Sequence, residues 1–490
     1  MHTRKLTLFA SLIVVALAGW WGYYSVHPAA AQDGALDWSE PKLLSNPEYS
    51  AGPPAIVADM AGNIHIIWAE TPVDESQAGE GEALFYTRWD GTEWTAPIDV
   101  LVSPQGSTSG PELAITPDGM LHATWFGSQK SEILHARAPA CCADDPRNWS
   151  QPESLGSQVL LSTAMVADDE GRLHVVYPTV DRAIIYRQSS DSGVTWPVWS
   201  EIPSGLRLDD EQPVYPRLTV DGKGRIHVVW TVIPLPGRAV MYSRSDDGGM
   251  TWREPEIIDT SARADYDDGY GPMLIDIEAV GDDEIHMIWD GAPTIERTHL
   301  WSSNGGETWS SMYNQIFPTV TGNGRSGWND MQLDSAGNLH AISIHGNSNA
   351  LHAVWNGTSW SAPEEIPTMG AAEFPRITIT EGNLLHFVWS DKKTQIFTNW
   401  YVKRQLPAPK TSGVPLPTVE PSPTPTMIVV EHPVSTPTPQ PTQTPVVRDW
   451  PQDTADMTQT NPGFSILLSI MPAIAIVGLV AIARFISQIH

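Results

Sequence analysis

Seven recurrences of one four-strand pattern predict an all-β fold. The fold is a seven-bladed β-propeller of four-stranded antiparallel blades closed by an N-terminal strand, with six blades as the alternative if the copy around His340 is irregular. Three observations carry this reading. A His followed three residues later by an aromatic residue, or its replacement, recurs at His65/Trp68, His122/Trp125, His174/Tyr177, His227/Trp230, His286/Trp289, His340/Ser343 and His386/Trp389, at intervals of 57, 52, 53, 59, 54 and 46 residues. A Trp, often in Trp-Ser-x-Pro, follows each of the first six, at Trp94, Trp149, Trp196, Trp252, Trp309 and Trp360, and is expected to begin the fourth strand. The matching Trp38-Ser39-Glu40-Pro41 precedes blade one, whereas blade seven ends after its third strand near Tyr401. The N-terminal strand is therefore expected to complete blade seven and remove the open edges.

The repeating unit is clearest from Pro216 to Pro255. Leu218 and Val220 alternate along a first strand, Asp221 to Gly224 turn it back, and Ile226, Val228 and Trp230 line one side of a second. A third strand runs through Val240 and Tyr242, and Trp252 opens the fourth. One such sheet cannot bury both faces, so copies must pack on one another. The seven histidines, one per blade at one radius, cannot converge on a metal ion, and are expected to be buried imidazoles bonded to neighbouring backbone.

The flanking segments predict export and display. Residues 1–31 read as a signal peptide, with Arg4 and Lys5 before an apolar run and Ala29-Ala30-Ala31 before the cut. The propeller spans 35–405, a Pro/Thr-rich disordered stalk 406–460, a transmembrane helix 464–485 and a short cytoplasmic tail 486–490. This places a single-pass protein in the cell membrane with its propeller outside. A net charge of −29, from 28 Lys plus Arg against 57 Asp plus Glu, argues against nucleic acid as a partner and leaves extracellular glycan or protein. The two cysteines, Cys141 and Cys142, are adjacent, and in an exported chain favour a vicinal disulfide that stiffens the long loop of blade two.

Three loops between third and fourth strands, SSDSGVTW, SDDGGMTW and SSNGGETW, fit Ser-x-Asp-x-Gly-x-Thr-Trp. They place Asp191, Gly193 and Trp196, then Asp247, Gly249 and Trp252, then Asn304, Gly306 and Trp309 at matching positions. This resembles the Asp-box, or BNR, repeat of sialidases and related propellers. In such a loop the acid caps backbone N–H groups, Gly supplies a positive φ and Trp fills the gap between blades. The shorter WDGTEW and WNGTSW turns serve the same purpose.

The resemblance implies a site on the opposite rim, formed by the loops that enter the first strands. Those loops hold Arg207, Asp209, Asp210, Glu211, Tyr215 and Arg217, then Arg263, Asp265, Tyr266, Asp267, Asp268 and Tyr270, then Arg325, Trp328 and Asp330, then Glu373 and Arg376. Arg217 and Arg376 head inner strands three blades apart, and with Arg325, Tyr215, Trp328 and Asp330 form the ligand-binding candidates. Sialidases set an arginine cluster on the sugar carboxylate, with a Tyr nucleophile, a Glu relay and an Asp acid. By that resemblance Tyr266 or Tyr270 supplies the phenol, Glu112 or Glu373 the relay, and Asp209 or Asp210 the acid. The family's Phe-Arg-Ile-Pro signature is absent here. No cofactor is called for, although Asp265, Asp267 and Asp268 offer oxygen ligands to Ca²⁺ at a spacing that matches no established motif. Two functions remain: a surface-anchored propeller that binds extracellular glycan or protein, and an exo-sialidase-type glycoside hydrolase acting on acidic sugars.

Overall fold

A computed structural model of the chain describes residues 37–417, apart from 73–82, 105–107, 128–130, 161, 234–238, 261–271, 291–296, 315, 318–327, 345–348 and 394–395. The signal peptide, the membrane segment and the stalk beyond 417 lie outside the described residues. Among the described residues no helix is long and apolar enough to cross a membrane.

Seven antiparallel sheets form seven blades. Their innermost strands are Ala55–Ala58, Thr108–Ile115, Ala164–Ala167, Gln212–Val220, Met273–Val280, Asn329–Leu333 and Ala371–Thr380. Blade one carries an additional strand, Tyr49–Ala51, paired with Ile64–Pro72 beyond Ala55–Ala58. Blade seven is completed by Lys42–Leu43, which pairs with Ile396–Gln405 through Lys42 opposite Tyr401 and Leu43 opposite Trp400. The N-terminal strand thus closes the ring as its sequence suggested. The copy around His340 is regular, four strands deep. Its Ser343 receives Nε of Arg297, a fully buried side chain from blade five, at 2.5 Å.

The fourth strands begin later than predicted. In six blades and in the N-terminal strand they start two to four residues beyond the Trp, as at Trp252 and Glu256–Asp259. The Trp stands outside its sheet because it belongs to the gap. Trp38, Trp94, Trp149, Trp196, Trp252, Trp309 and Trp360 meet, edge to face, His352, Tyr401, Tyr86, His135, Tyr186, Tyr242 and His299, with centroids 4.8–6.3 Å apart. Each of these partners is a third-strand residue of the preceding blade. Edge-on pairs of this kind add about 0.5–1.5 kcal/mol beyond the area they bury.

The same third-strand residues hold the repeated histidines. In blade four Nδ1 of His227 bonds the Tyr242 hydroxyl at 2.8 Å and Nε2 bonds Asp221 Oδ2 at 3.1 Å. The pattern recurs as Asp59–His65–Tyr86, Asp168–His174–Tyr186 and Asp334–His340–His352. In blades two and seven a threonine, Thr116 or Thr380, replaces the turn acid. The imidazoles are therefore bonded to side chains and not, as expected from sequence, to backbone. Burial holds His122, His299 and His386 at about 3, so they remain neutral.

The three Asp-box loops share one geometry. Asp191 Oδ1 accepts from the Thr195 N–H at 2.9 Å and Oδ2 from the Thr195 hydroxyl at 2.6 Å, and Asp247 and Asn304 repeat the cap on Thr251 and Thr308. Burial alone would raise the Asp191 carboxyl, yet these bonds and those from Ser189 and Val194 hold it at about 2. Gly249 has φ +85°, and a β-carbon there would overlap the Tyr186 ring of the preceding blade. Glycine thus answers both a backbone and a packing demand.

Residues 406–417, assigned to the stalk from sequence, are docked on the propeller. Leu406 and Ala408 are buried against blade seven and Leu416 packs on the core shared by blades one and two. Between them Ser335 Oγ donates to Pro409 O, Thr411 N donates to Glu381 O at 2.8 Å, Val414 N donates to Met60 O at 2.6 Å, and Lys410 pairs with Glu381 at 2.8 Å. The segment is a strap along the first turns of blades six, seven, one and two. Cys141 and Cys142 are joined by a disulfide, and their loop is tied to blade one by Arg88 Nη1 donating to Cys141 O at 3.0 Å.

Two stability measurements check this account. Tyr242→Phe keeps the ring against Trp309 but leaves Nδ1 of buried His227 unpaired, so thermal or urea unfolding should show a loss of about 1–3 kcal/mol. A chain ended at 405 should melt a few degrees below one ended at 417, since it forfeits two backbone bonds worth about 0.5–1.5 kcal/mol each and the burial of three apolar side chains. Equal melting temperatures would mean that the strap contributes nothing to the ring.

Candidate functional site

A bulge repeated in four inner strands builds the site. Register shifts lie between Ser109 and Glu112, Val214 and Arg217, Met273 and Asp276, and Glu373 and Arg376. Within each, one residue takes positive φ: Gly110 (55°), Tyr215 (53°), Leu274 (56°) and Phe374 (51°). For the three that are not glycine this costs about 1–2 kcal/mol each. Such bulges turn the following side chain out of the ordinary pleat. Here the side chains turned are Glu112, Arg217, Asp276 and Arg376.

These side chains share one level of the channel. Across the second strands, Ala55, Glu112, Ala164, Arg217, Asp276, Asp330 and Arg376 pair with Ile67, Thr124, Val176, Val229, Ile288, Ile342 and Val388, one equivalent position per blade. Five of the seven carry charge. Glu112 Oε1 accepts from Arg217 Nη1 at 3.3 Å and from Arg376 Nη2 at 3.0 Å, and the three side chains are only 16–18% exposed. Asp330 Oδ2 accepts from the Ile377 N–H at 2.6 Å. One pleat deeper, Glu278 faces Asp276 and Asp330, and burial with those two carboxylates pushes its carboxyl well above the usual range.

Burial, with the Asp330 carboxylate beside it, raises Asp276 to about 7 against the opposing pull of Arg217 and Arg376. Burial raises Asp330 to about 6 despite both arginines and the Ile377 N–H. Like carboxyls crowded in a low-dielectric channel share protons, because neutral forms avoid both the desolvation and the repulsion.

Aromatic rings stand above this level, toward the start of the inner strands. Tyr215 meets Trp328 edge-on at 5.0 Å, and Trp328 lies 5.7 Å from Phe374. All three are half-buried. The result is a funnel with an aromatic collar from blades four, six and seven over a charged floor.

The structure brings together Arg217, Arg376, Glu112, Asp330, Tyr215 and Trp328 from the sequence candidates. Glu373 lies at the bulge beside Phe374, opposite Ser390. Asp209 and Asp210 are exposed in the loop before Gln212–Val220, and Asp209 lies 3.9 Å from Arg182, not from the floor. Tyr266, Tyr270, Arg325 and the Asp265, Asp267 and Asp268 group lie outside the described residues. Sequence reasoning passed over Asp276, Glu278 and Phe374. A usable signal was present: every floor residue stands ten positions before its blade's repeated His, and Asp276 precedes His286 by that interval.

A second cleft of about 510 Å³ opens on the other rim, between the turns of blades seven and one, lined among others by Trp89, Lys403, Arg404 and Glu381. Its cations are engaged within the fold, Lys403 over the Trp89 ring at 4.5 Å, Arg404 with Glu364 and Lys410 with Glu381. The funnel, with strained backbone aiming side chains from four blades at one point, is the stronger candidate.

No protein-family model matches the chain, and no curated protein matches it. Among solved structures, a lectin from Burkholderia pseudomallei is similar over 75% of this chain and 99% of its own, at 10% identity and a TM-score of 0.52. A polysaccharide lyase is similar over 78% and 94%, at 11% identity and 0.47. A sialidase from Streptococcus pneumoniae is similar over 76% and 70%, at 12% identity and 0.41. At such identities the likeness is one of fold.

The raised carboxyls have a signed consequence for stability. Asp276 and Asp330 hold protons more tightly folded than unfolded, where the ordinary value is 3.8. Their contribution is complete below that value and is lost as pH rises through about 6 and 7. Melts of the wild type and Asp276→Asn between pH 4 and 8 should diverge, the wild type losing at most about 1.4 kcal/mol per pH unit relative to the variant. A difference that stays constant with pH would mean Asp276 titrates normally.

Proposed function

We propose that this chain is an exported propeller, displayed at a membrane surface, whose funnel binds a neutral sugar of an extracellular glycan. The observation that carries the reading is the half-buried collar of Tyr215, Trp328 and Phe374 above fixed donors and acceptors. Aromatic faces accept the apolar face of a sugar ring, and a few convergent polar groups fix its hydroxyls. The likeness of fold to a lectin is in keeping with this. Acidic sugars suit the floor less well, because Glu112 already bonds both guanidiniums. The floor also sets four carboxyls, Glu112, Asp276, Glu278 and Asp330, against two arginines. Export and display rest on the apolar runs near the two ends of the chain and on the Pro/Thr-rich segment.

Glycoside hydrolysis is a second reading, favoured by one observation. Asp276, raised to about 7, and Asp330, raised to about 6, are carboxylic acids of the strength that protonates a leaving oxygen near neutral pH.

A glycan array, followed by calorimetry on the sugar it identifies, tests the first reading. Trp328→Ala should weaken binding about tenfold, near 1.4 kcal/mol, with an unchanged fold by circular dichroism. Fluorogenic sialosides and neutral glycosides should be bound or ignored but not turned over. Turnover that disappears in Asp276→Asn would replace the binding reading with the hydrolytic one.

A further inference from the structure

The arginine pair in the funnel already holds a carboxylate, and it is the protein's own. Glu112 reaches across from blade two, where its neighbours at the same level in blades one and three are Ala55 and Ala164. Those two methyls leave the long side chain room to cross the channel. One oxygen, Oε1, receives Arg217 from blade four and Arg376 from blade seven, residues 105 and 264 positions away in the chain. This single shared oxygen is the arrangement by which two guanidiniums would clasp the carboxylate of a bound molecule. We infer that Glu112 sets the charge preference of the funnel, its carboxylate standing where a ligand carboxylate would bind and so excluding acidic sugars in favour of neutral ones.

The ring supports this assignment independently of any ligand. Arg376 also donates to Pro375 O at 3.3 Å and so is held in position from its own strand when Glu112 is removed. Asp330 is committed to the Ile377 N–H at 2.6 Å, which keeps it beside the arginines without occupying the Glu112 position. The groups facing the pair are Glu112, Asp276, Glu278 and Asp330. At pH 5 burial keeps Asp276 and Asp330 largely protonated, so Glu112 is the counter-charge whose loss is felt.

The inference rests on the funnel being the binding site, and the test separates the two. At pH 5, wild type and Glu112→Ala are titrated with sodium glucuronate against matched sodium chloride, reading both heat and melting temperature. The variant should bind glucuronate at least tenfold more tightly than the wild type, whose response should match that to chloride. Glu112→Gln, which keeps the volume and removes the charge, should follow the alanine variant if alanine fails to fold. Equal responses of wild type and both variants, or tighter binding by the wild type, would overturn the assignment. Failure of Trp328→Ala to weaken neutral-glycan binding would instead remove the funnel reading, while leaving the glucuronate result to stand for the arginine pair alone.

Discussion

Everything in this molecule depends on a bonded chain that crosses each blade boundary. A turn acid or threonine holds a His, the His holds a Tyr or second His on the third strand, and the ring of that residue receives the Trp of the next blade. No blade owns a finished core, because its outermost aromatic contact belongs to its neighbour. The closing pair, Trp38 on His352 and Trp94 on Tyr401, is made by the first and last parts of the chain, so the seventh interface is chemically the same as the others. Neutral buried imidazoles suit this task, since they donate at one nitrogen and accept at the other.

That closed frame is what permits an unfavourable centre. Three non-glycine residues in left-handed backbone, and six ionisable side chains gathered in one narrow channel, oppose folding. Neither feature stabilises the ring, and each persists only because strands on every side fix the backbone that carries it. Strain and crowded charge at the axis, with regular packing everywhere else, separate the residues that serve the frame from those that serve the funnel.

The frame was legible in the sequence because its residues repeat. His227, Trp252 and the SDDGGMTW loop have counterparts at regular intervals, and Trp38 found its place by matching Trp360. Arg217 and Arg376 were legible because Pro precedes each, marking the head of an inner strand. Asp276 was not, for MLIDIEAV alternates like any half-buried strand, and the denser acids just before it drew attention away. The histidine partners were missed because Tyr242 and Asp221 lie 15 and 6 positions away on other strands or turns, a relation that only pairing reveals. The strap was missed for a compositional reason: Leu406, Ala408 and Leu416 are too sparse among prolines to announce packing, yet grooves between turns need only a few anchors.

The strap also gives the propeller a mechanical fuse. A load drawn along the chain from residue 417 meets Leu416 first, then the Val414 and Thr411 backbone bonds, then the Lys410 ion pair, one after another. Only when these have parted does it reach Ile396–Gln405, which is clamped on both edges, between Leu384–Lys393 and the N-terminal strand. Weak contacts broken in series absorb extension at low force and re-form when it is released, and the ring behind them keeps its shape.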